Sequence, residues 1–90
     1  SAHAVNVARQ NFPNDRFFAS EAQNFCPPNN VDVIVLSEVL YYMDYFSIVP
    51  DTLRFFQFLN GDGVLCISLN LQNPKARAIE RALRPHLQYV

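Results

Sequence analysis

The sequence predicts an α/β fold in which parallel strands are joined by crossover helices. Two nearly continuous apolar runs, residues 31–36 and 64–69, are typical of strands that are covered on both faces of a sheet. Between them, from Val49 to Leu59, apolar residues recur at helical spacing. A crossover between parallel neighbours needs about a dozen residues or more, and this segment supplies them. We therefore expect 31–36 and 64–69 to be parallel neighbours.

The first third of the chain is predicted to be a helix, a short strand and a loop. Apolar residues at positions i, i+3 and i+7 predict an amphipathic helix over 1–12 that ends before Pro13. The aromatic segment 16–20 predicts a brief strand. The two prolines within 24–30 supply no amide donors, so this segment is expected to be a loop.

The last third of the chain is predicted to be a turn, a strand and a helix. The glycines within 60–63 are expected to form a left-handed C-cap of the crossover helix. Asn73 and Pro74 fit the N-cap and the first turn of a final helix, which Pro85 ends or kinks. The residues expected to face inward from this helix are Ala76, Ile79 and Leu83.

The length and charge of the chain limit its organisation and its partners. Ninety residues allow one domain at most. Seven basic and eight acidic residues give a formal charge of −1, which removes the global electrostatic reason to expect nucleic acid or an anionic membrane as partner. No apolar run approaches the ~20 residues that a bilayer crossing needs. We expect no membrane partner and no nucleic-acid partner.

The two cysteines indicate neither a metal site nor a disulfide framework. Cys26 and Cys66 are forty positions apart, without a Cys-x-x-Cys motif and without a nearby histidine. A reducing, cytoplasmic setting is therefore the default expectation. Cys66 lies within the second apolar run and is expected to be a buried apolar filler.

The final helix concentrates positive charge. Four of the seven basic residues are Lys75, Arg77, Arg81 and Arg84. This cluster leaves open an RNA-binding or partner-binding helix, but Glu80 is interleaved and can pair with Arg84 at i+4. We expect a solvated face with exposed arginines and no nucleic-acid role.

Three segments resemble motifs of class I S-adenosylmethionine-dependent methyltransferases. Residues 31–42, VDVIVLSEVLYY, resemble the family's fourth strand and the Ser/Ala-Glu-Val-Leu turn after it, most closely in small-molecule N-methyltransferases of the nodulation-protein S type. Residues 18–25 resemble the exit of the third strand, usually Gly-Asp-Ala followed by a polar pair. Residues 59–65 resemble the Leu-x-Pro-Gly-Gly turn into the fifth strand, with Asn60 in place of the common proline.

The resemblance implies that 1–90 is a single, partial Rossmann-like methyltransferase domain, running from the third strand to the fifth strand and the following helix. The family's first strands and its Gly-x-Gly-x-Gly loop are absent from the chain, whose two glycines are Gly61 and Gly63. The resemblance thus implies an N-terminal truncation before Ser1. It also assigns 16–20 to the other half of the sheet.

The resemblance implies four cofactor-binding residues. Glu21 matches the position of an acid that contacts the adenine amine of S-adenosylmethionine, and Ala22 would offer its backbone amide to the ring. Ser37 and Glu38 follow a buried strand at the carboxyl edge of the sheet, where open α/β sheets bind ligands. The alternatives are a solvated loop acid for Glu21 and a helix-start acid for Glu38.

The aromatic turn after Glu38 is the predicted substrate side of the cleft. Tyr41 and Tyr42 border the acceptor pocket in the resembling enzymes, and their rings could face an amine or the sulfonium. The alternative is that Tyr41, Tyr42, Tyr45 and Phe46 pack in the core or in a lid.

The function implied by the resemblance is methyl transfer to a small nitrogen or oxygen nucleophile, in a longer parent chain. Such transfer depends on alignment more than on acid–base chemistry, so no catalytic residue and no metal ligand is assigned. The alternative is a non-catalytic protein-interaction module derived from the same fold. The 90-residue chain alone is expected to lack tight cofactor binding and to self-associate through the exposed edge of strand 31–36.

Overall fold

A computed structural model describes residues 2–16, 18 and 20–87. Its helices and strands are α1 (Ala2–Asn11), β1 (Val31–Ser37), α2 (Ile48–Leu53), β2 (Leu59–Ser68) and α3 (Ala76–Leu83). Its 3-10 helices are Ala22–Asn24, Leu40–Tyr42, Tyr45–Ser47, Arg54–Phe58 and Arg84–His86. None of the helices in this described part of the chain is long and apolar enough to cross a bilayer.

Strands β1 and β2 form a parallel pair, as the sequence predicts. Ile34 pairs with Leu65, and the register continues without interruption to the pair Ser37 and Ser68. The two strands therefore end together at one edge of the sheet. The connection between them is helical, although α2 is short and continues as the 3-10 helix Arg54–Phe58.

A bulge interrupts the register near the start of the two strands. Val31 pairs with Leu59 and Val33 with Val64, so residues 60–63 of β2 lie opposite Asp32 alone. The Asn60 side-chain amide donates a 2.8 Å hydrogen bond to the Asp32 carboxylate across this irregularity. The predicted left-handed C-cap is wrong, because both glycines of this segment belong to β2 and neither has a positive φ.

Gly63 is required at the bulge for steric reasons. A Cβ at this position would lie 2.8 Å from the Leu59 Cβ and 2.9 Å from the Asn60 carbonyl oxygen. Both distances are below van der Waals contact, so the chain can fold back on itself here only if the side chain is absent. A Cβ on Gly61 would meet nothing within 4 Å, so that glycine is not constrained in this way.

Only one face of the sheet is covered by the described residues. Ile34, Leu36, Leu65 and Ile67 pack toward the helices. The buried core residues are Leu36, Leu40, Tyr41, Met43, Ile48, Phe55, Ala76, Ile79 and Leu83. The expectation that both strands are covered on both faces is therefore wrong for this structure.

The opposite face, which we call the open face, consists of Val33, Val35, Val64 and Cys66. Its three valines are 56 %, 62 % and 52 % exposed, and register places Val33 beside Val64 and Val35 beside Cys66. Cys66 is an exposed free thiol, so its predicted role as a buried filler is also wrong. An apolar run indicates burial, but it does not show whether the covering atoms belong to the same chain.

The helices at the two ends form where the sequence predicts them, except that the last one begins later than predicted. The predicted helix 1–12 appears as α1 and buries none of its described residues, while Ser1 lies outside the described part of the chain. The predicted N-cap at Asn73 and first turn at Pro74 are wrong, because α3 begins at Ala76 with Lys75 as its N-cap residue. The Asn73 side chain nevertheless accepts a 2.9 Å hydrogen bond from the Lys75 N–H, just before the helix. Ala76, Ile79 and Leu83 face inward as predicted. The α-helix ends before Pro85.

The arginines of α3 and of the residue that follows it are exposed as predicted. Arg77, Arg81 and Arg84 all face solvent. Glu80 accepts two hydrogen bonds from Arg84, at 2.9 and 2.6 Å, which confirms the expected i+4 pair. Such a surface pair contributes about 0.3–0.5 kcal/mol to stability.

The predicted strand 16–20 is not seen in the part of it that the structure describes. Arg16, Phe18 and Ser20 have no strand assignment. The other two residues of the segment, Phe17 and Ala19, lie outside the described residues. Phe18 instead makes a tilted ring contact with Phe25, with centroids 6.0 Å apart.

The bulge gives a direct test of the fold. Gly63→Ala is expected to lower the free energy of unfolding by about 1–3 kcal/mol, because the new methyl group overlaps Leu59 and the Asn60 carbonyl. Gly61→Ala is the matched control and is expected to be neutral or stabilising by up to about 1 kcal/mol, since it restricts the unfolded chain without a clash. Urea unfolding followed by circular dichroism measures both. Equal effects of the two substitutions would contradict the bulge geometry.

Candidate functional site

The candidate site lies where β1 leaves the sheet. Glu38, the residue after Ser37, has a φ of 58°, which is the left-handed region that residues other than glycine rarely adopt. Its amide donates a 3.1 Å hydrogen bond to the Ser68 carbonyl, so the ladder extends one step beyond β1. The turn then directs the chain into the 3-10 helix Leu40–Tyr42, where Leu40 is completely buried.

The Glu38 carboxylate joins this turn to the segment that follows β2. Its Oε2 atom accepts a 2.8 Å hydrogen bond from the Tyr41 phenol and a 2.9 Å hydrogen bond from the Asn70 backbone N–H. The Asn70 N–H also donates to the Tyr41 phenol oxygen, and the Asn70 carbonyl lies 3.3 Å from that oxygen. Glu38, Tyr41 and Asn70 therefore form one hydrogen-bonded cluster, which we call the junction cluster.

The environment of the junction cluster keeps Tyr41 protonated. Burial raises the pKa of the Tyr41 phenol, and its hydrogen bond to the Glu38 carboxylate raises it further. The Asn70 backbone N–H acts in the opposite direction, because it stabilises the phenolate. The phenol is thus a stable hydrogen-bond donor to Glu38 at neutral pH.

The remaining residues of the predicted turn are exposed. Ser37 is the last residue of β1, paired with Ser68, and its side chain faces solvent. Tyr42 is 87 % exposed and Phe46 is 94 % exposed, so their rings can be reached by a ligand or a partner. Tyr41, in contrast, is 8 % exposed, which bears out core packing for this ring and leaves its hydroxyl in the cluster.

Glu21 and Ala22 lie in a different part of the structure. The Glu21 carboxylate accepts hydrogen bonds from the side-chain amides of Gln23 and Asn24, at 2.9 and 3.3 Å. The Ala22 carbonyl accepts a 3.0 Å hydrogen bond from the Arg54 guanidinium, which fixes the 3-10 helix Ala22–Asn24 against the crossover. No hydrogen bond among the described residues links either of them to the junction cluster.

Two cavities adjoin these elements. One, of about 530 Å³, lies beside the first residues of β1 and includes Phe18, Phe25 and Phe55, but none of the six predicted site residues. The other, of about 380 Å³, lies between the 3-10 helix Leu40–Tyr42 and α3, and Tyr41 is part of its wall. Lys75 also belongs to the wall of this second cavity, and its ammonium lies 3.4 Å from the Tyr41 carbonyl oxygen.

The structure thus brings together two of the six predicted site residues by direct contact, Glu38 and Tyr41. It adds Asn70, which the sequence does not single out, and Lys75, which the sequence indicates only as part of a basic cluster. Asn70 comes directly after the second apolar run, so its place at the same sheet edge could have been inferred from the parallel pairing. Within residues 2–16, 18 and 20–87 there is no group of three or more metal-ligating side chains.

Comparisons with protein-family models, with curated proteins and with solved structures gave no significant match. The candidate site is therefore defined by its geometry alone.

The raised pKa of Tyr41 predicts a pH dependence of stability. Because the pKa of Tyr41 is higher in the folded state than in the unfolded state, the neutral phenol stabilises the folded state. This contribution is complete below the ordinary tyrosine pKa of about 10 and is lost as the pH rises through the folded-state pKa. The free energy of unfolding should therefore fall more steeply in alkali for the parent chain than for Tyr41→Phe. Urea unfolding at a series of alkaline pH values measures this difference.

Tyr45→Phe is the matched control for this titration, because it removes an exposed phenol that is not among the groups that shift the Tyr41 pKa. It is expected to keep the alkaline profile of the parent chain. If Tyr41→Phe also keeps that profile, the hydrogen-bonded environment of Tyr41 does not form as described.

Proposed function

We propose that this chain contributes to S-adenosylmethionine-dependent methyl transfer to a small nitrogen or oxygen nucleophile, as part of a longer class I methyltransferase. In this proposal β1 and β2 are the fourth and fifth strands of the Rossmann-like sheet. The observation that carries it is the junction cluster: Glu38 of the Ser-Glu-Val-Leu motif is held by Tyr41 and Asn70 at the carboxyl edge of two parallel strands.

The position of Glu38 supports a ligand-binding role. Open α/β sheets bind ligands in the crevice outside the carboxyl ends of their strands, and Glu38 is exposed at that edge. Both of its hydrogen bonds use Oε2, so within the described part of the chain Oε1 remains available to accept one from a ligand hydroxyl or amine. A left-handed backbone at this residue is costly, and such strain is concentrated at functional sites.

The residues of this chain would orient the reactants rather than exchange protons with them. The cofactor supplies a methyl group that is already activated as a sulfonium. Ser37 and Glu38 line the edge of the cleft, and the exposed ring of Tyr42 offers a π face to a cationic group. In the same proposal Glu21 and Ala22 contact the adenine, and Arg54 fixes Ala22 to the crossover. We propose a cytoplasmic setting, since Cys26 and Cys66 are free thiols.

Heteronuclear NMR of the isotope-labelled chain with S-adenosylmethionine tests this proposal. The chain supplies one wall of the cleft, so we expect weak binding, with a dissociation constant of roughly 1 mM. Backbone signals of Ser37, Glu38 and Asn70 should shift on titration, and Glu38→Gln should reduce the shifts. Asp62→Asn is the control, because it makes the same change of charge within the bulge, away from the carboxyl edge. It should leave the shifts of Ser37, Glu38 and Asn70 unchanged.

Two results of this titration would contradict the proposal. The first is the absence of shifts at the carboxyl edge, or shifts that Glu38→Gln does not alter. The second is binding at micromolar concentration, which would show that this chain holds a complete pocket and is not one wall of a larger one.

A second candidate function is a protein-interaction module derived from the same fold, and the open face favours it. Val33, Val35 and Val64 expose a contiguous apolar surface on a sheet type whose two faces are normally covered. The simplest partner is a second copy of the chain, which could pack its own open face or strand edge against this one.

Sedimentation velocity tests the second candidate. The sedimentation coefficient of the parent chain should rise with protein concentration, and Val35→Lys should suppress this rise by placing a charge in the open face. Leu71→Lys introduces the same charge at an apolar residue that is 60 % exposed outside the sheet, and should leave association intact. A parent chain that stays monomeric at every protein concentration measured would exclude self-association through this surface.

A further inference from the structure

The cavity between the 3-10 helix Leu40–Tyr42 and α3 has the character of a small-molecule site. Its volume, about 380 Å³, is within the range of about 300–1,000 Å³ that such sites occupy. Its walls are Leu40, Tyr41, Met43, Tyr45, Pro74, Lys75, Ala78 and Ile79. It is a cleft open to solvent, and the 3-10 helix Leu40–Tyr42 and α3 on its two sides both contribute buried residues to the core.

The apolar part of the wall is formed largely by buried core residues. Leu40, Met43 and Ile79 are 0 %, 7 % and 2 % exposed, and the Tyr41 ring is held by the hydrogen bonds of its hydroxyl to the junction cluster. Pro74 and Ala78 complete the apolar part of the wall. A ligand of one ring with a short chain fits a space of this size and gains by burying its apolar surface.

The charge of the cavity comes from a single side chain. Lys75 is the one charged residue among the described residues of the wall. Its ammonium is 3.4 Å from the neutral Tyr41 carbonyl, and no carboxylate of the described part of the chain forms an ion pair with it. Of the nearby acids, Glu38 is bound to Tyr41 and Asn70, and Asp44 accepts the Phe46 N–H. Neither acid belongs to the wall.

We propose that this cavity binds a small amphipathic carboxylate, with its ring against Met43 and Ile79 and its anionic group at Lys75. The positive charge at the rim selects against a cationic amine of the same shape. This proposal concerns binding alone, and it stands whether or not the chain takes part in methyl transfer.

Three probes that differ only in their terminal group test the proposal: phenylpropanoate, phenylpropanol and phenylpropylamine. Each is titrated into the isotope-labelled chain and followed by NMR through the Met43 methyl group and the backbone amides of Tyr41 and Ile79. The carboxylate is expected to bind about two- to five-fold more tightly than the alcohol, as for a solvent-accessible ion pair, and the amine more weakly than the alcohol.

Three variants assign this preference to Lys75. Lys75→Gln should lower the affinity for phenylpropanoate to that for phenylpropanol. Lys75→Arg should retain the preference for phenylpropanoate over phenylpropanol. Arg77→Gln removes an equal charge from an exposed position on α3 outside the cavity wall, and should leave the preference unchanged. All these positions are on the surface, so the variants are expected to fold.

Each of the following results would overturn the proposal. One is the absence of shifts at Met43, Tyr41 and Ile79 with every probe. Another is an amine or alcohol that binds as tightly as the carboxylate. A third is an Arg77→Gln variant that loses as much preference as Lys75→Gln, which would show a general effect of net charge.

Discussion

The carboxylate of Glu38 is the interaction on which the arrangement of the sheet edge depends. It connects the turn after β1 with the segment after β2, through Tyr41 and through the Asn70 backbone. The left-handed backbone of Glu38 costs about 1–2 kcal/mol, and hydrogen bonds to a charged acceptor contribute about 1.5–3 kcal/mol each, less where they are exposed. The cluster therefore offsets the strain that positions Glu38 at the edge.

The same cluster links the sheet edge to the core and to the cavity. The Tyr41 hydroxyl belongs to the cluster while its ring belongs to the buried core, beside Leu40. The carbonyl of the same residue is the neighbour of the Lys75 ammonium, at the start of α3. Tyr41 thus connects the strand ends, the helical layer and the cavity beside Lys75. The opposite side of the sheet has no such layer among the described residues, which is why the open face is exposed.

The features that depend on local pattern were predictable, and those that depend on tertiary contact were not. The apolar runs predicted the parallel pair, and helical spacing predicted the inward face of α3. The glycines at 61 and 63 suit a helix cap as well as a bulge, and only the approach of Leu59 to Gly63 distinguishes the two. The motif identified Glu38 and Tyr41, but Asn70 acts through its backbone, which any residue type can supply. The exposure of Cys66 could not be predicted either, because an apolar run does not show which residues, if any, cover the strand.

A double-mutant cycle on Glu38 and Tyr41 tests most directly whether the junction cluster holds this edge together. The free energies of unfolding are measured for the parent chain, Glu38→Ala, Tyr41→Phe and the double variant, with a second cycle of Glu21→Ala and Tyr41→Phe as control. We expect a coupling energy of about 1–2 kcal/mol in the first cycle and additivity within about 0.5 kcal/mol in the control. Additivity in both cycles would contradict it.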